Sequence, residues 1–272
     1  MASGWDITIR GLKAGYGDHV VLDTVTGVLP AGSVSVILGG SGCGKSTLLR
    51  QIIGLSKPMA GELIVGDRDI LRLPRREFSR LRRNMGVLFQ DGALLGALTL
   101  AENVVLPLSE HLSLTRAALR REALRVLEMV GLEGFADFYP NELSGGMRKR
   151  AGLARAIVAE PKILLCDEPT SGLDPITAAR MDDLLLAMNR HFPDMTTVVV
   201  SHDMASVWRI ADNVMVIREG RSIFCGTPEE LKRSEDPYLV RFLSRESDED
   251  GADVHAEMAP EVRASLDRWL AG

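Results

Sequence analysis

The chain has 272 residues, enough for one large domain or two modest lobes around a well-buried core. Hydrophobic residues make up 46% and charged residues 25%, an ordinary balance for a folded globular protein. The net charge of −5 gives no basic field for nucleic acid, no apolar run is long enough to span a bilayer, and the N-terminal residues lack a signal peptide's basic and apolar regions. A cytoplasmic chain is expected, acting on any membrane through a partner. The three cysteines, Cys43, Cys166 and Cys225, are scattered, which fits a reducing compartment and no disulfide framework. No Cys/His spacing suggests a metal site made by protein ligands alone.

The first part of the chain reads as strands. Trp5, Ile7 and Ile9 alternate with polar residues. Short runs follow at Val20 to Leu22 and Val25 to Leu29, broken by Asp and Gly. Ser33 to Leu38 is a buried strand that ends in glycines, and a helix is predicted from Lys45 to about Leu55. A run of arginines (Arg72, Arg75, Arg76, Arg80, Arg82, Arg83) precedes an apolar strand at Met85 to Phe89. That run is either a solvated basic helix or a surface for anionic headgroups or a partner's acidic loop. From about Thr99 to Ile157, Ala, Leu and Val recur at helical spacing between Arg and Glu, which predicts a mostly helical insertion.

Strand, helix and strand then return. Lys162 to Cys166 and Thr197 to Ser201 are fully apolar or nearly so, as expected of parallel strands covered on both faces. Val214 to Ile217 and Ser222 to Phe224 flank a predicted hairpin. Thr227-Pro228-Glu229-Glu230 has the N-cap Thr, N1 Pro and N3 Glu of a helix start. From Arg245 the chain turns acidic, with Glu246, Asp248, Glu249 and Asp250, before a short helix expected at Glu261 to Leu270. This tail either docks on a partner through Leu266, Trp269 and Leu270 or is a frayed end.

Gly39-Gly40-Ser41-Gly42-Cys43-Gly44-Lys45-Ser46 matches G-x-x-x-x-G-K-[ST] between a strand and a helix. Its glycines let backbone amides, Thr47 included, wrap a polyphosphate at a helix N-terminus, where the dipole favours anions. Lys45 supplies charge for the β- and γ-phosphates, and the Ser46 hydroxyl is a candidate ligand for Mg²⁺. Cys43 reads as a small residue that fits a tight loop, the alternative being a reactive thiol. Ile163 to Cys166 empties into Asp167, placed to hold Mg²⁺, and Glu168, placed to polarise an attacking water. Gln90 and His202 end two further strands, where ligands of open α/β sheets sit. Gln90 is a candidate for Mg²⁺ and the attacking water, and His202 for the γ-phosphate. Tyr16, in a glycine-rich turn, either stacks on adenine or is a core tyrosine.

Leu143-Ser144-Gly145-Gly146-Met147 precedes another helix, predicted from Arg148 to Ala159, with Ser144 as its N-cap. This is a second anion site, far from the first in sequence. One nucleotide does not need both, so the economical arrangement is a head-to-tail dimer in which each site faces a different nucleotide.

The phosphate loop, Gln90, Leu143-Ser144-Gly145-Gly146, Asp167-Glu168, Ser171-Gly172-Leu173-Asp174 and His202 occur in the order of an ABC transporter nucleotide-binding domain, which residues 5 to 243 resemble. The resemblance implies a P-loop NTPase (RecA-like) α/β core with an antiparallel β subdomain and an inserted helical subdomain. It favours the adenine-stacking role for Tyr16. It implies an ATP sandwich in which Ser144, Gly145 and Gly146 of one copy complete the site built by Lys45, Ser46 and Glu168 of another, with Asp174 communicating across the seam. The expected boundaries are an ATPase domain over 1–244, a helical subdomain at about 92–158 and the acidic tail over 245–272.

Met147 stands where many ABC ATPases have Gln. With Gly86-Val87-Leu88-Phe89-Gln90-Asp91-Gly92-Ala93-Leu94, Asn103 to Leu108 and Gly145 to Gly152, it resembles the ATPase of Mla/MCE-type lipid transporters. That resemblance implies ATP and Mg²⁺ as cofactors and a second copy of the chain as partner. It also implies an integral membrane permease, an MCE-type periplasmic lipid-binding protein and a small accessory subunit. The chain would then sit on the cytoplasmic face of the inner membrane. The alternatives are an importer ATPase for another small solute or a non-transport ABC ATPase. Against the latter, the stretch from Gln90 to Ser144 is too short for a coiled-coil arm, and the chain carries one cassette.

Overall fold

The computed structural model describes residues 4–244 and 258–270. They belong to two compact units, Met1–Arg233 and Ser234–Gly272. The acidic cluster Glu246, Asp248, Glu249 and Asp250 lies outside the described residues.

The larger unit opens with β1 (Ile7–Tyr16) and β2 (His19–Leu29), which pair antiparallel. Sequence breaks at Asp23 and Gly27 predict two short strands here, but β2 is continuous. The chain absorbs the irregularity as register shifts against β1 and a left-handed residue at Thr24, φ 68°. Next come β3 (Val34–Leu38), α1 (Lys45–Ile53), β4 (Ala60–Val65), β5 (Arg68–Asp69), α2 (Arg75–Arg82) and β6 (Met85–Leu88). The helical insertion follows as α3 (Leu100–Ser109), α4 (Arg116–Met129), two short 3₁₀ turns and α5 (Gly145–Ile157). Then come β7 (Ile163–Asp167), α6 (Pro175–His191), β8 (Thr196–Ser201), α7 (Met204–Ile210), the hairpin β9 (Asn213–Arg218) and β10 (Arg221–Gly226), and α8 (Pro228–Lys232). The sequence starts the fifth helix at Arg148. The structure begins it at Gly145, because Ser144 caps it directly by accepting from Met147 N.

The strands form two sheets. One is antiparallel, in the order β2-β1-β4-β5. The other runs β10-β9-β3-β8-β7-β6, with the five strands from β9 to β6 parallel and β10 closing one edge antiparallel. All of β3 and β8 is buried, which explains why they are mostly apolar and carry only small hydroxyl residues otherwise. The sheets meet where Thr26 N donates to Ser222 Oγ at 2.9 Å and Ser222 Oγ donates to Thr26 O at 2.8 Å. One core holds both together: Ile9, Leu12 and Leu63 of the antiparallel sheet pack with Leu48 and Ile52 of α1 and Ile37, Leu165 and Val200 of the parallel sheet. At about 25 cal/mol per Å² of buried apolar surface, such side chains contribute roughly 1.5–3 kcal/mol each. That burial makes the carboxyl ends of β3, β7 and β8 a rigid platform.

The smaller unit contains α9 (Pro237–Ser244) and α10 (Pro260–Leu270). On α10, Trp269 and Leu270 are exposed at 76% and 68%, while Leu266 is half-buried. No helix of the described residues is long and apolar enough to cross a membrane.

Candidate nucleotide site

The phosphate loop leaves β3 and enters α1 at Gly44, whose φ of 108° suits glycine alone. A Cβ there would lie 2.4 Å from Leu22 Cδ2, so β2 packs directly under the loop. Gly44 is also the N-cap of α1 and gives it no side-chain cap, which leaves the first-turn amides for an anion. Lys45 is 6% exposed, and its Nζ donates to the carbonyls of Gly39 and Gly40, both at 2.8 Å. Buried among neutral acceptors, this ammonium gains from an anionic partner. Cys43 packs inward against the core.

Ser46 Oγ donates to Asp167 Oδ1 at 3.1 Å, joining the start of α1 to the end of β7. Burial pushes the Asp167 carboxyl above its ordinary range, and the neighbouring Glu168 charge adds to this, against the Ser46 hydrogen bond and the Arg50 and Lys45 charges. A hard oxygen pair with an excess of buried negative charge suits a divalent cation, so the residues fit Mg²⁺. Among the described residues no group of three or more His, Cys, Asp or Glu could hold a metal by itself.

Glu168 has a left-handed backbone, φ 48°, uncommon for a residue with a Cβ. Its N–H donates to Val200 O at 3.0 Å, and its Oε1 lies 3.3 Å from His202 Nδ1. Val21, Ser41, Gly42, Gly44, Lys45, Ser46, Thr47, Glu168 and His202 line one cleft of about 450 Å³. The sequence offers no signal for Val21.

Other predicted residues lie apart from this cleft. Gln90 is exposed beyond the end of β6 and does not line it. Tyr16 is 49% exposed, which excludes a core role. Its hydroxyl accepts from Arg50 Nη1 at 3.0 Å, and hydrogen bonds with Thr47 and then Arg50 hold its phenol below its ordinary value. Asp174 caps α6, its Oδ1 accepting from Ile176 N and Thr177 N at 3.0 Å, and the Thr177 side chain, then these amides, hold its carboxyl below the ordinary range. Ser144 and Gly146 line a separate hollow of about 400 Å³ with Met147, Arg150, Thr177 and Arg180. Gly145 opens α5. A single chain therefore keeps the loop from Gly39 to Ser46 and the Ser144 helix terminus in separate hollows.

The family model for ABC transporters matches residues 22–171, spanning the loop from Gly39 to Ser46, the Ser144 helix cap and Asp167-Glu168. The chain belongs to the ABC transporter family. It is 41% identical over 242 residues to an intermembrane phospholipid transport ATP-binding protein, MlaF, of Haemophilus influenzae, covering 89% of this chain and 91% of that one. The Escherichia coli K12 protein of the same name is 36% identical over 260 residues, covering 93% and 96%. A probable ribonucleotide transport ATP-binding protein, mkl, of Mycobacterium leprae is 40% identical over 244 residues, covering 90% and 70%. Among solved structures, the dimeric ATP-binding cassette MJ0796 bound to ADP and Pi matches with TM-score 0.73 and 31% identity, covering 81% of this chain and 98% of that one. CbiO1 of Clostridium perfringens matches with TM-score 0.77 and 30% identity, covering 89% and 96%. The ABC ATPase fold is thus that of this chain, and as an ABC transporter cassette it binds and hydrolyses ATP.

Proposed function

We propose that this ABC ATPase powers phospholipid transport through a partner permease of the Mla/MCE kind. The observation that carries this reading is the match to two MlaF proteins along nearly the whole of both chains. The mkl protein is as similar, but this chain spans only 70% of it, and its name makes ribonucleotide transport the second reading.

In the mechanism, amides of Gly42 to Thr47 and the Lys45 ammonium take the β- and γ-phosphates of ATP. Glu168 accepts a hydrogen bond from the attacking water and aims it at the γ-phosphorus. His202, beside Glu168, holds that carboxylate and donates to the γ-phosphate. Ser46, Asp167 and Gln90 are the residues that would hold Mg²⁺, which supplies charge neutralisation at the phosphates. Gln90 must move toward the cleft to take part. Tyr16 offers a ring for the adenine. Ser144, Gly145 and Gly146 act on the nucleotide of a second copy, and the separation of the two anion sites within one chain supports that dimer. Asp174 sits at the head of α6, ready to meet the partner copy.

The ATPase domain occupies 1–244, with the helical subdomain at about 92–158 and the acidic tail over 245–272 serving assembly. A groove of about 560 Å³ between α2, β6, α3 and the end of α5 receives a permease segment. It is lined by Arg82, Arg83, Pro107, Leu108, His111 and Arg155, among others. Through that permease the chain sits at the cytoplasmic face of the inner membrane, with an MCE-type lipid-binding protein on the far side and a small accessory subunit.

The test is to purify the chain with its neighbouring permease and to analyse solvent extracts by mass spectrometry. Bound phospholipid, with ATPase stimulated by the permease in phospholipid vesicles, supports the reading. Ribonucleotide transport by the reconstituted complex with no bound lipid, or co-purification with a soluble binding protein for a small solute, overturns the lipid assignment.

A further inference from the structure

Lys149 is buried at 5% exposure, about one turn into α5. A buried ammonium needs full compensation. Its Nζ donates to Ser171 O at 2.6 Å, to Ser171 Oγ at 3.1 Å and to Glu168 O at 3.2 Å, using all three of its N–H bonds on one turn. Burial draws the ammonium below its ordinary pKa, opposed by the Asp91 and Glu168 charges. The turn it holds is the one where Glu168 adopts φ 48°. Glu168 is thus fixed on both sides, its N–H by Val200 O of β8 and its C=O by Lys149 of α5. A left-handed non-glycine residue persists only where its surroundings over-determine it.

The same helix reaches two other parts of the site. Further along the face that carries Lys149, a Cβ on Gly152 would lie 2.9 Å from Gly92 Cα, so only glycine permits that approach. Arg155 donates from Nη2 to Gly92 O and from Nη1 to Ala93 O, both at 2.8 Å, in the segment that follows Gln90. At its N-terminus, α5 carries Ser144 and Gly146.

We propose that Lys149 is a positioning residue that holds the Glu168–Ser171 turn against α5, so that seating Ser144 on a second copy's nucleotide fixes Glu168 in its own cleft. Each α5 then links the nucleotide of one site to the base of the other. This rests on the reading of Glu168 as the residue that aims water.

The experiment compares Lys149→Met, Ser171→Ala, their double variant and Glu168→Gln in the full-length chain. Its readouts are thermal melting, ATP affinity and steady-state ATPase. Charge-assisted hydrogen bonds of this kind correspond to roughly a tenfold or greater effect. Lys149→Met should therefore lower kcat about tenfold, with KM for ATP and nucleotide affinity within about twofold, the signature of a lost transition-state interaction. Ser171→Ala should lower kcat by roughly two- to threefold alone and leave it unchanged beside Lys149→Met, because the two act through one contact. If Lys149→Met does not fold, Lys149→Gln is read for the same kcat loss at constant KM. Wild-type kcat in the folded Lys149 variant overturns the proposal, as do a loss confined to KM and additive effects of the two substitutions. Glu168→Gln separates the failures. Near wild-type turnover there removes the underlying assignment of Glu168, whereas a dead Glu168→Gln beside a fully active Lys149 variant removes only the positioning role.

Discussion

The N-termini of α1 and α5 both offer helix amides and a favourable dipole, yet their surroundings differ in kind. The α1 terminus has no side-chain cap and stands among Lys45, Ser46, Glu168 and His202. The α5 terminus is already capped by Ser144, and its hollow is lined by Met147, Arg150, Thr177 and Arg180 without a carboxylate. On the proposed reading the first binds phosphate and activates water, while the second lends its terminus to another copy's nucleotide and has no group to activate water. A helix N-terminus by itself is therefore an invitation to an anion, and the side chains delivered beside it by other elements decide the chemistry.

The sharpest way to break this comparison is to disable the α1 end. Lys45→Ala should abolish ATP binding and with it ATPase activity. Glu168→Gln should lower turnover on the order of 10²–10⁴-fold while ATP still binds and a closed dimer accumulates. Wild-type turnover by Glu168→Gln would move water activation elsewhere.

Substitution at the α5 end should separate binding from hydrolysis. Ser144→Arg should reduce ATPase on the order of 10²-fold with ATP affinity of the isolated chain retained, because Ser144 lies outside its own nucleotide cleft. Mixing Ser144→Arg with Lys45→Ala chains should restore part of the activity, since a mixed dimer contains one site free of both lesions. A dimer structure with Ser144 remote from the opposite nucleotide would refute the shared site. Ser144→Ala is a poorer probe, since losing the cap alone costs about 1 kcal/mol.

A smaller effect concerns the helices behind the platform. Asp182 of α6 is 3% exposed and accepts from Ser206 Oγ of α7 at 2.9 Å, while its Oδ1 has no hydrogen-bond partner. Burial raises its pKa from 3.8 to about 6, with the Ser206 hydrogen bond opposing. An acid whose pKa is raised on folding stabilises the fold fully below its unfolded value, and that contribution is lost as pH climbs through the folded one. Stability should therefore fall by roughly 3 kcal/mol between about pH 4 and pH 6, read as a falling melting temperature. Asp182→Asn should flatten that slope, and an unchanged pH profile would assign the loss to other groups.

The smallest effect on chemistry is expected from the C-terminal end. Deleting residues 246–272 should leave nucleotide binding intact and weaken recovery of the assembled complex, because exposed Trp269 and Leu270 offer a docking face. Unchanged dimerisation and complex recovery would remove that role.

The amino-acid sequence by itself determined the loop from Gly39 to Ser46, the strand that empties into Asp167 and Glu168, the Ser144 cap and the alternation of strands and helices. Each depends on neighbours within a few positions, through glycine torsions, apolar periodicity or a side chain reaching its own backbone. It also carried the family, since ordered motifs survive where overall identity is 30–41%. Only the tertiary structure decided that β2 runs unbroken past Asp23, where Gly220 O accepts from Asp23 N at 2.7 Å across a long separation in sequence. Only it turned Tyr16 toward Arg50 and left Gln90 outside the cleft. Lys149 gave no local sign of its place, because a lysine on a helix reads as solvated until another element buries it. Its three acceptors arrive on the turn after β7, and a contact made between distant segments is set by packing.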